Sequence, residues 1–239
     1  MIKLAIVGYG KMGKEIESCL DSEFQLSGRY DIDNPIENIL NDKPDVAIEF
    51  TSPQSVIGNL EFLIENNINV VCGTTGWYEQ SDNIKKLVKE NLTGFIYASN
   101  FSIGVNLFFQ EIQSIVPLIE KFKIYNSSIE ETHHKQKIDK PSGTAIRAAE
   151  FFLKNSQLRT KYSVDNENAE SDELNIISKR IDNVVGNHKL IFESQFDKII
   201  LEHDAKSRTG FAEGALLAAK FIHNKKGFYK FEEIFNQLV

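Results

Sequence analysis

Leu4-Ala5-Ile6-Val7-Gly8-Tyr9-Gly10-Lys11-Met12-Gly13 is a short apolar run that gives way to a G-x-G-x-x-G loop. Four successive apolar residues ending in glycine predict a strand buried on both faces, as in a parallel sheet. Met12, Ile16, Cys19 and Leu20 then recur with helical spacing, which predicts a helix over Met12 to Leu20. Glycines at this spacing also occur in purely structural turns. It is the position of the loop, between a buried strand and a helix, that points to a bound dinucleotide. Gly8 permits the tight turn, Gly10 lets a pyrophosphate approach the backbone, and Gly13 lets helix and strand pack closely. With Tyr9, Lys11 and Met12 they form the candidate cofactor loop, whose free N–H groups and positive helix end would face the phosphates.

A ribose-reading acid is expected about 20 residues on, at the end of the second strand. Asp31 closes the run Leu26-Ser27-Gly28-Arg29-Tyr30 and is the candidate, with Asp33 competing and a solvated loop aspartate as the plainer reading. A carboxylate there accepts hydrogen bonds from the ribose hydroxyls and repels a 2′-phosphate, favouring NADH. Arg29 could hold that phosphate, so the cofactor is read as NADH, NADPH or both.

Outward from the loop, strands and helices alternate. Strands are predicted over Phe24 to Tyr30, Val46 to Phe50, Ile68 to Cys72 and Gly94 to Tyr97. A helix is predicted from Ser52-Pro53 to about Asn66, and another over Ser81 to Glu90. This β-α order predicts an α/β, Rossmann-type doubly wound parallel sheet. The pattern then changes. Val105 to about Phe122 predicts one long helix, Lys123 to Glu130 a strand, and Thr144 to about Asn155 a helix. Ser156 to Asp172 is polar and reads as a long loop. Leu174 to Ile181, His188 to Ser194 and Ile199 to His203 predict strands in succession. They indicate a smaller α+β domain with a mixed sheet. Ala212 to His223 predicts a helix, and Phe228 to Leu238 closes the chain. The domains are expected at 1–103, joined by 211–239, and at 104–210.

Composition bounds the function. The 239 residues carry a net charge of −7, with 41% hydrophobic and 26% charged residues, so a nucleic-acid or anionic-membrane partner is not expected. Cys19 and Cys72 make neither a disulfide framework nor a cysteine-rich metal site. The N-terminus lacks the apolar stretch of a signal peptide, and no window approaches the ~20 apolar residues of a membrane span. A soluble, cytoplasmic protein is the expectation.

The densest chemistry is Glu130-Glu131-Thr132-His133-His134-Lys135-Gln136-Lys137-Ile138-Asp139-Lys140-Pro141-Ser142-Gly143-Thr144. Histidine can exchange a proton near neutral pH, and Lys137 offers a fixed charge to a carboxylate. Ser142-Gly143-Thr144 opens a helix whose N–H groups can bind a second carboxylate. A small dianion would suit this patch. A solvated loop is the plainer alternative. Zinc is another, although adjacent histidines rarely both reach one metal and no further His or Cys lies close in sequence.

H-H-x-x-K-x-D-x-P-S-G-T after a Rossmann half resembles the 4-hydroxy-tetrahydrodipicolinate reductase (dihydrodipicolinate reductase) family of bacterial lysine biosynthesis. The resemblance extends to Glu49 to Pro53, Gly73 to Gly76, Ala98 to Val105, Val185 to His188 and Ser207 to Ala215. It implies an NAD(P)H-dependent reduction of a cyclic imine or enamine diacid. By it, His133 is the acid/base residue and Lys137 a second proton donor; no metal is implied. His134, Ser142, Gly143 and Thr144 contact substrate, and Arg208 is a hinge arginine near it. Gly73, Thr74 and Thr75, with Ala98, Ser99, Asn100 and Phe101, hold the nicotinamide. The resemblance also implies a homotetramer built through the substrate-domain sheets. Arg180-Ile181-Asp182-Asn183 departs from the family's Arg-Gly-Gly-like turn, and Glu213 replaces a usual Asn. Another two-domain dehydrogenase of the amino-acid type, or a non-catalytic dinucleotide sensor, are the alternatives; neither explains paired histidines before Pro141-Ser142-Gly143-Thr144.

Overall fold

Alternate residues of the first strand face opposite ways, and this places its two apolar sets in two cores. The computed structural model describes residues 1–182 and 184–238. It divides into two compact units, Met1–Ile103 with the segment from Arg208 onward, and Gly104–Ser207.

The first unit holds β1 (Ile2–Val7), β2 (Phe24–Tyr30), β3 (Val46–Glu49), β4 (Asn69–Cys72) and β5 (Gly94–Tyr97). With β11 (Gly227–Lys230) they form a six-stranded sheet of order β11-β5-β4-β3-β1-β2, parallel at every pairing. Leu4 and Ile6 face a core shared with α1 (Lys11–Ser18) and α6 (Thr209–His223). Ala5 and Val7 face a second core shared with α2 (Val56–Glu65) and α3 (Ser81–Glu90). The strand period of two thus sorts one apolar run into the two layers of a doubly wound fold. Strand order reverses at β1, between β2 and β3, and ligands of such sheets bind at that switch point.

The second unit begins with α4 (Ile103–Glu120), which carries Pro117 inside it. Then come β6 (Asn126–His133), α5 (Gly143–Asn155), β7 (Lys161–Val164), β8 (Glu173–Arg180), β9 (Gly186–Glu193) and β10 (Lys198–Ala205). The sheet order is β10-β9-β6-β8-β7, antiparallel on the β9 side of β6 and parallel on the β8 side. Val105, Phe108, Phe109, Ile112, Ala148, Ala149 and Phe152 of α4 and α5 pack on Ile129, Leu174, Ile176, Leu190 and Phe192. The sheet is mixed because β6 lies between β9, antiparallel to it, and β8, reached by a crossover through α5 and parallel to it.

Several boundaries differ from the sequence reading. Ser52-Pro53 does not start α2: Ser52 O accepts from Ser55 N at 3.1 Å and Val56 N at 3.0 Å, making a turn that delays the helix to Val56. The polar stretch 156–172 contains β7, paired to β8. Phe228 lies in β11, a sixth strand, followed by the short α7 (Phe231–Ile234). The second unit ends at Ser207 rather than 210, because α6 begins at Thr209. Asn183 lies outside the described residues. No helix among the described residues is long and apolar enough to cross a membrane.

Candidate active site

Two sites are built, one on each unit. In the first, Gly8 ends β1 with φ +95, a backbone conformation suited to glycine, and a Cβ there would collide with the Phe50 carbonyl. At Gly13 a Cβ would collide with the Gly8 carbonyl, whereas at Gly10 it would meet nothing within 4 Å. The loop is therefore tight at its two ends and open in the middle, where a pyrophosphate would approach. Tyr9 stands over this loop, and its hydroxyl donates to Glu17. Lys11 is exposed and Met12 half-buried at the start of α1.

A cavity of about 550 Å³ lies beside Gly8, lined by Tyr30, Asp31, Ile32, Glu37, Thr51 and Asn59 among others. Asp31 is in place at its wall, and its Oδ1 also accepts from the backbone N–H of Asp33 at 3.0 Å and Asn34 at 3.2 Å. Asp33 does not line this cavity. Arg29 does not line it either: its Nε donates to Glu17 Oε2 at 2.6 Å, and its guanidinium lies 5.4 Å from the centre of the Tyr9 ring. Hydrogen bonds from Arg29 and Tyr9 hold the Glu17 carboxyl down at about 2. These residues fit a dinucleotide: an open phosphate loop, an acid at the ribose position and a cavity for the adenosine end.

Gly73-Thr74-Thr75 leaves β4 against β3. Thr74 Oγ1 accepts from Thr51 N at 2.7 Å, and Thr74 O accepts from Trp77 Nε1 at 2.9 Å. A Cβ on Gly73 would collide with the Phe50 ring, while Thr75 is exposed. Of the segment after β5, Ala98 and Phe101 are core residues, Phe101 packing edge-on against Phe231 at 4.9 Å. Ser99 is exposed, and Asn100 Oδ1 accepts from Ser102 N at 2.9 Å. Arg208 is exposed at the N-cap of α6.

In the second unit the basic segment is only partly a loop. β6 continues through Glu131 and Thr132 to His133, and all three are buried. Ile129, Glu131 and His133 alternate onto one face, so the apolar face of the strand turns polar at its end. Register supplies their partners: Glu131 lies opposite His188 on β9 and Ser178 on β8, and His133 opposite Arg180.

Glu131 is fully buried yet amply contacted. Both of its oxygens accept from Ser142 N at 3.1 Å, and Oε1 accepts from Nη1 and Nη2 of Arg180 at 3.2 Å. His133 Nδ1 approaches Oε2 to 3.3 Å, an ion-pair approach rather than a well-aligned hydrogen bond. Burial pushes the carboxyl up, but the close approach of His133 and the contacts from Ser142 outweigh it and hold Glu131 well below the usual carboxylate range. His188 lies edge-on to His133, ring centres 5.0 Å apart, with Nε2 3.2 Å from Ser142 Oγ. Burial, then the neighbouring His133 charge, pushes His188 down to about 3.

Arg180 also organises the lysine loop, donating to Asp139 O at 2.5 Å and Lys137 O at 3.4 Å. Lys137 Nζ pairs with Asp139 Oδ2 at 2.8 Å, and the Asp139 carboxyl is more than half exposed. His134 is half-buried, and its carbonyl accepts from Lys137 N at 3.1 Å. Ser142 caps α5, its Oγ accepting from Ala145 N at 3.2 Å. Gly143 is exposed with nothing within 4 Å of an added Cβ, and Thr144 is half-buried beside it. The candidate substrate residues His133, His134, Lys137, Ser142, Gly143 and Thr144 are thus gathered at the end of β6 and the start of α5.

Sequence reading missed Glu131, Arg180 and His188. Alternation of Ile129, Glu131 and His133 was the available signal for Glu131; the other two come from strands far along the chain. Glu131, His133 and His188 offer ligand atoms within 4.8 Å of one another. The donor set is nevertheless that of a hydrogen-bond network, since Arg180 and the Ser142 N–H already occupy the carboxylate.

Two family profiles, described as the N-terminus and C-terminus of dihydrodipicolinate reductase, match residues 2–101 and 104–235. The chain belongs to the dihydrodipicolinate reductase family. It is 39% identical to the 4-hydroxy-tetrahydrodipicolinate reductase of Christiangramia forsetii, over 99% of each chain. With the Methanocaldococcus jannaschii reductase it shares 35% identity over 92% of this chain and 77% of that one. A solved dipicolinate-bound dihydrodipicolinate reductase from Paenisporosarcina sp. TG-14 superposes with a TM-score of 0.82 at 26% identity, covering 98% of this chain and 99% of that one. An amine dehydrogenase from Mycobacterium smegmatis, 11% identical with a TM-score of 0.61 over 95% of this chain and 94% of that one, shares the fold. Membership in the reductase family answers the amino-acid dehydrogenase and sensor alternatives.

Proposed function

We propose that this chain reduces 4-hydroxy-tetrahydrodipicolinate to tetrahydrodipicolinate, the 4-hydroxyl leaving as water, with NADH preferred over NADPH, and that His133 supplies the proton. The observation that carries the reading is His133 at the end of β6, which shares the Glu131 carboxylate with the Ser142 N-cap of α5, with Lys137 four residues on in the loop between them. One carboxylate of the diacid would take the N-terminus of α5 at Gly143. The other would take Lys137, displacing the exposed Asp139 carboxylate that now holds it. His134 adds a positioning contact. Clamping both carboxylates fixes the ring so that one of its carbons faces His133.

Bound NAD(P)H supplies a hydride from its nicotinamide C4. The residues around the Gly8 loop, Gly73 to Thr75 and the segment Ala98 to Phe101 hold and orient that cofactor. The NADH preference is supported by the cavity wall: Asp31 and Glu37 line it, no Lys or Arg does, and Arg29 is engaged by Glu17. A 2′-phosphate would meet two carboxylates there. Cytoplasmic residence and a tetramer built through the second sheet accompany this reading.

The test is oxidation of NADH and NADPH, side by side, with freshly generated substrate. Loss of absorbance with a larger kcat/KM for NADH is expected. No turnover with either cofactor, from folded protein that binds them, would refute the reading.

A further inference from the structure

The proton donor of this site has a buried carboxylate behind it, and nothing in the proposed reaction yet uses it. We propose that Glu131 is a positioning residue for His133: it faces Nδ1 as an acceptor, holds the proton on that nitrogen, and so commits Nε2 to the exchange with substrate. The inference rests on His133 being the proton donor.

Four observations converge. First, Nδ1 of His133 is the ring nitrogen that faces Glu131, at 3.3 Å from Oε2. A carboxylate only accepts, so a hydrogen bond closed across this approach carries its proton on the ring nitrogen. Second, the carboxylate is itself fixed. Arg180, the last residue of β8, and the N–H of Ser142, the N-cap of α5, both hold it. Third, the side of the ring that carries Nε2 faces Gly186, where an added Cβ would come to 3.1 Å. A residue without a side chain keeps that nitrogen clear. Fourth, His188 packs edge-on to His133, and burial leaves it neutral, so no second imidazolium competes for Glu131.

The arrangement resembles the logic by which a buried acid orients a catalytic imidazole, fixing its tautomer without itself accepting the proton for good. The 3.3 Å approach belongs to the protein without substrate, and such contacts tighten in the reacting complex. The same argument explains why a fully buried carboxylate sits two residues before the proton donor, on the same face of one strand.

The decisive measurement is made on the intact protein. Nitrogen-15 imidazole spectra of histidine-labelled protein, with His133→Gln to assign the resonances, report which ring nitrogen carries the proton in the neutral form. The Nδ1–H tautomer at His133 is expected, and an Nε2–H tautomer overturns the proposal. Kinetics give the second arm. Glu131→Gln should lower kcat about 10²-fold with KM for the diacid within about threefold, because it unsets the imidazole and leaves the carboxylate clamp. An unchanged kcat in a folded Glu131→Gln protein also overturns the proposal. Should that variant fail to fold, the spectra decide alone. Absence of diacid reduction by the parent protein would instead refute the reaction assigned above, and leaves the tautomer measurement to judge the Glu131–His133 pair.

Discussion

His188 gives the second unit an acid-labile point whose size can be worked from its surroundings. It is buried between His133 and Ser142, and burial together with the His133 charge holds its folded pKa at about 3. In the unfolded chain histidine titrates near 6.5. A depressed folded pKa means that the unfolded chain binds the proton first. The contribution to stability is therefore whole above pH 6.5 and lost as pH falls from 6.5 towards 3. At pH 5.0 the unfolded chain is about 1.5 pH units below its own pKa while folded His188 remains neutral. At about 1.36 kcal/mol per unit, this position costs the fold about 2 kcal/mol relative to pH 7.5.

His188→Gln keeps a group able to reach Ser142 Oγ and removes the titration. Urea unfolding of parent and variant at both pH values, at one fixed protein concentration, measures it. Trp77, the single tryptophan, lies in the first unit, so far-UV circular dichroism is the better probe of the second. Burial also depresses His203, which titrates alike in both proteins and cancels. The parent should lose about 2 kcal/mol more than the variant between pH 7.5 and 5.0. An equal loss in both, within about 0.5 kcal/mol, would show that His188 is not held neutral by the fold and refute the reasoning.

Three further outcomes follow from the two sites. His133→Gln should lower kcat by about 10²–10⁴-fold and leave NADH binding unchanged, checked by steady-state kinetics and calorimetry. Lys137→Met should lower kcat and raise KM for the diacid together, whereas His134→Gln should act mainly on KM, and the double change at His133 and Lys137 should cost less than the product of the singles. Asp31→Ala should weaken NADH binding by about 1–3 kcal/mol in a direct titration and narrow the gap to NADPH, since it removes charge-assisted hydrogen bonds and one of two carboxylates at the cavity wall.

How much of the site was legible in the chain depended on distance along it. His133, His134, Lys137 and Ser142 to Thr144 lie within a dozen residues, so their chemistry could be read as one patch. Yet the sequence predicts a strand only to Glu130 and a loop beyond it, because polar residues dominate there. In the folded protein Glu131 and His133 are buried on the core-facing side of β6, where partners from other strands make a polar strand end affordable. Arg29 shows the converse. Two residues before Asp31 in sequence it reads as a phosphate ligand, but β2 ends at Tyr30, between the two, and Glu17 on α1 claims the Arg29 guanidinium.

The sequence by itself determined the doubly wound half, because four apolar residues, a glycine loop and a helix are local signals, each read within a few residues. It marked His133, Lys137 and the helix start at Ser142 to Thr144 as candidates for the same reason. Only the tertiary structure decided what stands behind the donor. Arg180 and His188 reach Glu131 through strand register, 49 and 57 residues further along the chain. Register is fixed by the pairing of whole strands and the burial of their apolar faces, so no local pattern could announce it.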